Sequence, residues 1–578
     1  MGGQRGPSTA DELVALAGAR FELGRAEDGE PFAVERDGAN VARFFRGGRA
    51  SLRATLAAAY ADAHGRVPSG QALVDALAVL EGRALGTARR RLPLRACPGG
   101  DVVIVDVGDE AGRAIMVNAA GWTLVDRSHV TFRRSELTGS LPRPAPGGTL
   151  LADLRALLNM DVDDVAIAIA QIIGALLGLP VAIVLLRGPA GVAKTSAARH
   201  LARLLDPGPA PVRAVPKDPE AWAVAAAGSM VVVVDNLDTI PGWLSDALCR
   251  AVTGEAFLRR ALYTDGGISV VSFRRAVILT AIDPGALRGD LADRLAVVEL
   301  QPIAGRDRLD ETTLEERFAT AHPRLLGALL DLMAQVLAAL PGVELPRMPR
   351  MADYARVLAA VDRALGTAGL PRYLAQRGEL QREAAEGDRV GASVIAFMAD
   401  RRSWTGTAGE LLDSLTPEHR TREWPATPRG LSAALRRVAH PLLAAGVVVT
   451  FGDRGGHSGR RLVHLEVPGS EPTAPSAQPR HGADAQSPAS PDVDGDDGDV
   501  HADDREPAGE GFVVGLAAGA DGADGQSPTT SGRGAASAQT EAVPGPDPQD
   551  YIDAARIAAA WGLPVEGDHP RNAREADA

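Results

Sequence analysis

Cysteine is scarce: the 578 residues hold two, Cys97 and Cys249. Two thiols build neither a disulfide framework nor a four-ligand zinc site, which fits a reducing, cytoplasmic setting. The opening residues 1–12 are polar and lack the apolar core of a secretion signal. Only one apolar run, 165–186, reaches bilayer length. Gln171 and Pro180 interrupt it, so it reads as a buried helix to about Leu177 and a strand over 181–186, with no membrane partner.

A surplus of one charge is also missing from most of the chain. The formal net charge is −13. Residues 469–578 hold 21 acidic and 6 basic side chains, leaving 53 acidic and 55 basic elsewhere. The acidity therefore belongs to the tail. A near-neutral body still permits nucleic-acid contacts through local basic loops.

What is present reads as an α/β chain in six parts. Residues 1–148 form an α/β region with a first helix capped near Thr9, helices over 52–63 and 71–80, and short strands over 101–107, 114–117 and 121–125. The Pro- and Gly-rich stretch 141–148 reads as a linker or rigid turn. Residues 149–305 carry the chemistry, and 306–389 are helical with a break at 345–350. Residues 390–467 show three helices and then a Gly-rich hairpin, the pattern of a winged helix or another small α+β domain. Arg454, His457, Arg460 and Arg461 fall at the hairpin tip, where a wing touches DNA backbone or another protein. Residues 468–549 are too poor in apolar groups to offset their ordering entropy and are expected to be disordered. One short helix is expected in 550–578, as a protein-docking element or a nascent helix.

The strand 181–186 runs directly into Gly188, Pro189, Ala190, Gly191, Val192, Ala193, Lys194 and Thr195, and a helix follows. Strand, Gly-rich loop and helix form the context of a P-loop: loop N–H groups cradle phosphates, Lys194 reaches the β- and γ-phosphates, and Thr195 binds Mg²⁺. ATP and Mg²⁺ are the expected ligands. Ala193 stands where the last glycine is usual, and its methyl crowds the loop if φ must be positive. A second apolar strand, 230–234, ends in Asp235, the expected partner of Mg²⁺. Asn236 follows where many P-loop ATPases carry Glu, so binding is more secure than hydrolysis. A third strand, 276–279, ends in Thr280, a polar tip placed to touch the γ-phosphate or the attacking water. Arg294 comes shortly after, either as an arginine finger toward a neighbouring subunit or as a salt-bridge partner of Asp290 or Asp293.

The stretch 244–255, with 257–265 and 270–275, resembles the superfamily 3 helicases, especially the primase-helicases of phages and poxviruses. Stretches 243–250 and 260–265 are also similar to ATP-binding proteins of actinobacterial phages and integrative elements. The resemblance implies an AAA+-like P-loop core, a hexameric homo-oligomeric ring and ATP-driven translocation on single-stranded or forked DNA. It also implies a hairpin over 264–270 gripping the strand, with Arg259, Arg260, Arg274 and Arg275 supplying local positive charge, or else serving solvation and intersubunit pairing. Departures are Arg250 for the usual lysine, Thr280 and Ala281 for a polar pair with asparagine, and Asn236 for the second acid. No primase signature is visible in residues 1–150. A helicase-type ATP hydrolase is the leading expectation. An ATP-gated oligomeric switch with weak hydrolysis, acting in regulation or phage defence, is the alternative; a small-molecule kinase fits the strand order less well.

Overall fold

The computed structural model of the chain describes residues 7–45, 51–260, 268–417, 424–454 and 461–468. All lie in one of two compact units, Met1–Gly469 with Ile552–Ala578. The tail from 469 onward, the hairpin tip 261–267 and residues 455–460 with His457 and Arg460 fall outside the described residues.

Continuous apolar runs favour parallel strands covered on both faces. Five such strands build the central sheet: β1 (Ile183–Arg187), β2 (Val212–Arg213), β3 (Val231–Leu237), β4 (Ala276–Ala281) and β5 (Leu295–Glu299). All pair in parallel, in the order β2-β3-β4-β1-β5. Strand β4 thus separates β1 from β3, although it follows both in the chain. The apolar run 165–186 becomes the buried helix α1 (Val162–Leu176) and the start of β1. At its polar interruption the Gln171 amide nitrogen donates to the carbonyls of Ala182 at 2.8 Å and Val277 at 2.7 Å.

One further helix packs on this sheet and a second packs on that helix. The helix α2 (Lys194–Leu205) follows the loop after β1, and α3 (Glu311–Ala339) runs past Pro323 without a break. Among the described residues, the stretch Glu311–Gly342 is the one helix long and apolar enough to cross a membrane. Its Leu325, Leu326, Leu329, Leu330, Met333 and Val336 are buried in the central core.

That core is continuous from Val103 to Ala384 and runs across positions 148 and 305. The strands Val102–Asp106 and Ala114–Asn118 bury Val103, Val105, Ile115 and Val117 in the same cluster as the central sheet, and Trp122 Nε1 donates to Asp331 Oδ1 on α3 at 2.8 Å. The buried guanidinium of Arg95 donates to Asp206 Oδ1 at 3.2 Å and to the carbonyls of Asp106 and Gly139. Asp206 in turn accepts from the N–H groups of Met230 and Val231 at the start of β3. Residues 141–148 are a strap packed on α3, with Ala145 N–H donating to Pro323 O at 2.9 Å.

Smaller cores flank this body. Leu13 to Ala84 form one, under helices Thr9–Arg20, Leu52–His64 and Gly70–Leu85. The first helix is capped by Ser8, one residue before the expected Thr9, in a reciprocal bond with Asp11. Strands Phe21–Ala26, Pro31–Glu35 and Val41–Phe44 were not foreseen; charged residues such as Glu22, Arg25 and Arg43 break their apolar pattern. Ala385 to Leu465 form the other core. There the order is helix Arg389–Met398, strand Ser403–Thr407, helix Ala408–Leu415, helix Pro428–Ala444, then strands Val448–Arg454 and Arg461–Glu466. The unforeseen strand 403–407 pairs antiparallel with 461–466, which also pairs with 448–454.

A Cβ placed on Gly327 would lie 2.0 Å from Ala145 O. Gly327→Ala must therefore push the strap off α3, and a loss of about 1–3 kcal/mol is expected. Urea denaturation reads this directly: an unchanged midpoint contradicts the close packing of the strap.

Candidate functional site

The site is assembled where β1, β3 and β4 end, at the C-terminal edge of the parallel sheet, the usual place for ligands in open α/β sheets. Gly188 leaves β1 at φ 149, and a Cβ there would lie 2.7 Å from Leu300 O, so no side chain fits. Ala193 precedes α2 at φ 65 and ψ 31, the left-handed region. The concern raised by its methyl is therefore real: the conformation costs about 1–2 kcal/mol for a residue with a Cβ. No side chain caps α2. Its first N–H groups and the positive end of its dipole face the loop, an arrangement suited to an anion.

Lys194 Nζ donates to the loop carbonyls of Gly188 at 2.7 Å and Pro189 at 2.8 Å. Burial pulls its pKa down, and the Asp235 carboxylate opposes that shift. Asp235 itself is the meeting point. Thr195 Oγ1 donates to it at 3.0 Å to Oδ1 and 3.1 Å to Oδ2, and Thr280 Oγ1 donates to Oδ1 at 2.5 Å. The register of β3 shifts after Val234, and Asn236 takes φ 58. This turn aims the Asn236 N–H at Thr280 Oγ1, 2.9 Å away. Lys194, Thr195, Asp235 and Thr280 are thus brought together. The Asn236 and Asp238 residues stand exposed beyond them. Asp235 and Thr195 offer adjacent oxygen donors, hard ligands that suit Mg²⁺, an ion that takes one or two protein oxygens and keeps waters and phosphates for the rest. Among the described residues no cluster of three or more His, Cys, Asp or Glu forms a metal site by itself.

The remaining candidates lie elsewhere. Arg294 sits just before β5, at the opposite end of the sheet, since Ile183 pairs with Leu295. It is buried, and its Nη1 donates to Asp290 O at 2.8 Å and Oδ1 at 2.5 Å. Arg350 also reaches Asp290, while Arg377 and His440 hold Asp293. Arg274 donates to the carbonyls of Gly178 and Thr253. Arg275 donates to Ala226 and Ala227 carbonyls and packs on the Phe273 ring; burial pushes its pKa down to about 10. Both guanidiniums thus cap helix C-termini. Arg259 lies on the strand Ala256–Arg260, paired antiparallel with Ile268–Ser272. Its side chain and that of Arg260 lie outside the described residues, as does most of 264–270.

Sequence reasoning missed Asn159 and Arg308, which lie near the loop, and the buried Asp164. None carries a motif; the fold alone places them. Asp164 is wholly buried on α1 and 3.0 Å from Arg372. Desolvation pushes its pKa up to about 7, against the pull of Arg372.

With this geometry in hand, comparisons place the chain. Residues 151–383 match the family model of the Actinomycete integrative conjugative element replication protein, and 390–480 match the AICE RepA C-terminal domain. The seam between the two falls where the second core begins. Over both stretches the chain is similar to that replication-protein family. No curated protein matches it. Among solved structures, it is similar to SCCmec type IV Cch, titled an active helicase, at 12% identity over 78% of this chain and 93% of that one, TM-score 0.40. The apo NrS-1 C-terminal region follows at 10% identity, 80% and 100% coverage and TM-score 0.36. JCV helicase shares 15% identity over 41% and 65%, TM-score 0.22.

The Asp164 shift predicts a pH dependence. The folded carboxyl binds its proton more tightly than the unfolded one, so the associated stability is full at low pH. It is lost as pH rises from the ordinary carboxylate range through about 7. Asp164→Asn should therefore shrink the fall in melting temperature between pH 5 and pH 8. An equal fall in both proteins contradicts the assignment.

Proposed function

We propose that the chain is an ATP-binding P-loop ATPase of the superfamily 3 type that opens or moves along DNA during replication of a mobile element. The hydrogen-bonded line Thr195–Asp235–Thr280 beside Lys194 carries this reading. The match to a replication-protein family supports the biological setting. Loop N–H groups and Lys194 hold the phosphates, and Thr195 and Asp235 hold Mg²⁺. Bound Mg²⁺ supplies charge neutralisation at the phosphate oxygens. Thr280, already polarised toward Asp235, orients groups at the terminal phosphate.

The proposal includes a cytoplasmic homo-oligomeric ring, hexameric by resemblance, acting on single-stranded or forked DNA. In such a ring Arg294 acts as a finger only after exchanging Asp290 for a neighbour's phosphate. Arg259 and Arg260 remain the hairpin's DNA candidates, and the acidic tail a docking segment for a protein partner. The helix–strand–helix–helix–hairpin order of 389–466 supports the winged-helix reading, with its DNA-facing role. A second reading, an ATP-gated switch with weak hydrolysis, is favoured by one observation: the position after Asp235 carries Asn236, an exposed amide with its backbone in the left-handed region, and not a carboxylate.

Phosphate release by the full chain, with and without single-stranded DNA, tests the proposal. Multiple turnover stimulated by DNA is expected. It should vanish in Lys194→Ala and fall about 10³-fold or more in Arg294→Ala, with ring mass by light scattering. One bound ATP per chain without repeated turnover would favour the switch, and no effect of DNA contradicts the motor.

A further inference from the structure

Residues 300–310, leaving β5, cross the phosphate loop at three points. The Leu300 carbonyl fills the space a side chain at Gly188 would need, 2.7 Å from its Cβ position. The Asn159 side-chain amide donates to Val192 O at 3.4 Å and to Gln301 O, tying the crossing segment to the loop. Arg308 then rests on Gly191: a Cβ built there would lie 3.0 Å from its Nη2, 3.6 Å from Nη1 and 3.7 Å from Cζ.

The state of this arginine sets it apart. Its neighbours around the loop are paired: Arg187 with Glu299, Arg199 with Glu311, Arg203 with Glu315. Arg308 is exposed, and among the described residues its guanidinium meets no carboxylate or carbonyl. An unpaired fork of donors thus stands beside Lys194 and the uncapped start of α2. The Arg308 fork, Lys194 and the N-terminus of α2 thus bring three sources of positive potential to the loop.

We propose that Arg308 binds the terminal phosphate of the nucleoside triphosphate from within the same chain and reports its presence to α3. This rests on the nucleotide-site reading above. The planar guanidinium donates two parallel hydrogen bonds to phosphate oxygens, a match an ammonium lacks. Two residues on, Asp310 caps α3, accepting from Thr313 N–H at 2.9 Å. The helix α2 grips the same end of α3 through Glu311 and Glu315. A phosphate that holds Arg308 therefore holds the start of α3, the longest helix of the central core, on the loop.

The test measures dissociation constants of a fluorescent non-hydrolysable ATP analogue and of fluorescent ADP, both with Mg²⁺, for the full chain. Wild type, Arg308→Ala, Arg308→Lys and Lys194→Ala are compared. Arg308→Ala should weaken the triphosphate about 10-fold or more and ADP far less, because a charge-assisted bond to the terminal phosphate is removed. Arg308→Lys should restore part of the difference. The nucleotide-free melting temperature should stay at its wild-type value, which separates binding from folding. A wild-type ratio of triphosphate to diphosphate affinity in Arg308→Ala overturns the role of Arg308 and leaves the nucleotide site standing. Failure of the wild type to bind either nucleotide overturns the site and Arg308 together.

Discussion

One carboxylate, Asp235, fixes the geometry of the site. It accepts hydroxyl protons from Thr195 at the start of α2 and from Thr280 at the end of β4. Hydrogen bonds to a charged group contribute about 1.5–3 kcal/mol each, roughly twice a neutral one. They bind three segments that are distant in sequence, and only the order β3-β4-β1 brings them within reach. The register shift after Val234 and the left-handed Asn236 are local consequences, since they turn an N–H onto Thr280 while leaving the carboxylate in place. Strain at Ala193 and Asn236 belongs to the same corner of the molecule, as expected where backbone is held by function rather than by propensity.

The loop is surrounded by a single packed body. The core from Val103 to Ala384 joins the N-terminal strands, the central sheet and α3. Arg95, Asp206 and the first N–H groups of β3 form a buried link between the N-terminal part and the strand that carries Asp235. Residues 300–310 lie against the loop, α3 packs on the helix α2 that follows it, and the strap 141–148 lies against α3.

Much of the site was legible because each key residue ends an apolar run. Asp235 and Thr280 close strands β3 and β4, and Lys194 and Thr195 follow β1 at a fixed spacing. For Arg294 the sequence offered a salt bridge to Asp290 or Asp293 beside the finger reading, and the fold pairs it with its i,i+4 partner Asp290. The carbonyl partners of Arg274 and Arg275 were not legible, because local charge says nothing of the helix ends that the fold brings beside it. Arg308 gave no signal at all: a lone arginine after the last strand acquires meaning only when the chain crosses back over Gly191. The early strands were hidden by short length and mixed polarity, and the core shared across positions 148 and 305 was not legible because composition does not report which faces pack together.

The central claim is that Lys194 faces nucleotide phosphate in the Asp235 site. The sequence has two lysines, Lys194 and Lys217, so a lysine-reactive ATP analogue can be located by mass spectrometry without ambiguity. The account predicts modification at Lys194, blocked by Mg·ATP and not by AMP, with the exposed Lys217 reacting slowly and without protection. Equal labelling of the two lysines, or labelling of Lys194 that Mg·ATP leaves unchanged, contradicts it.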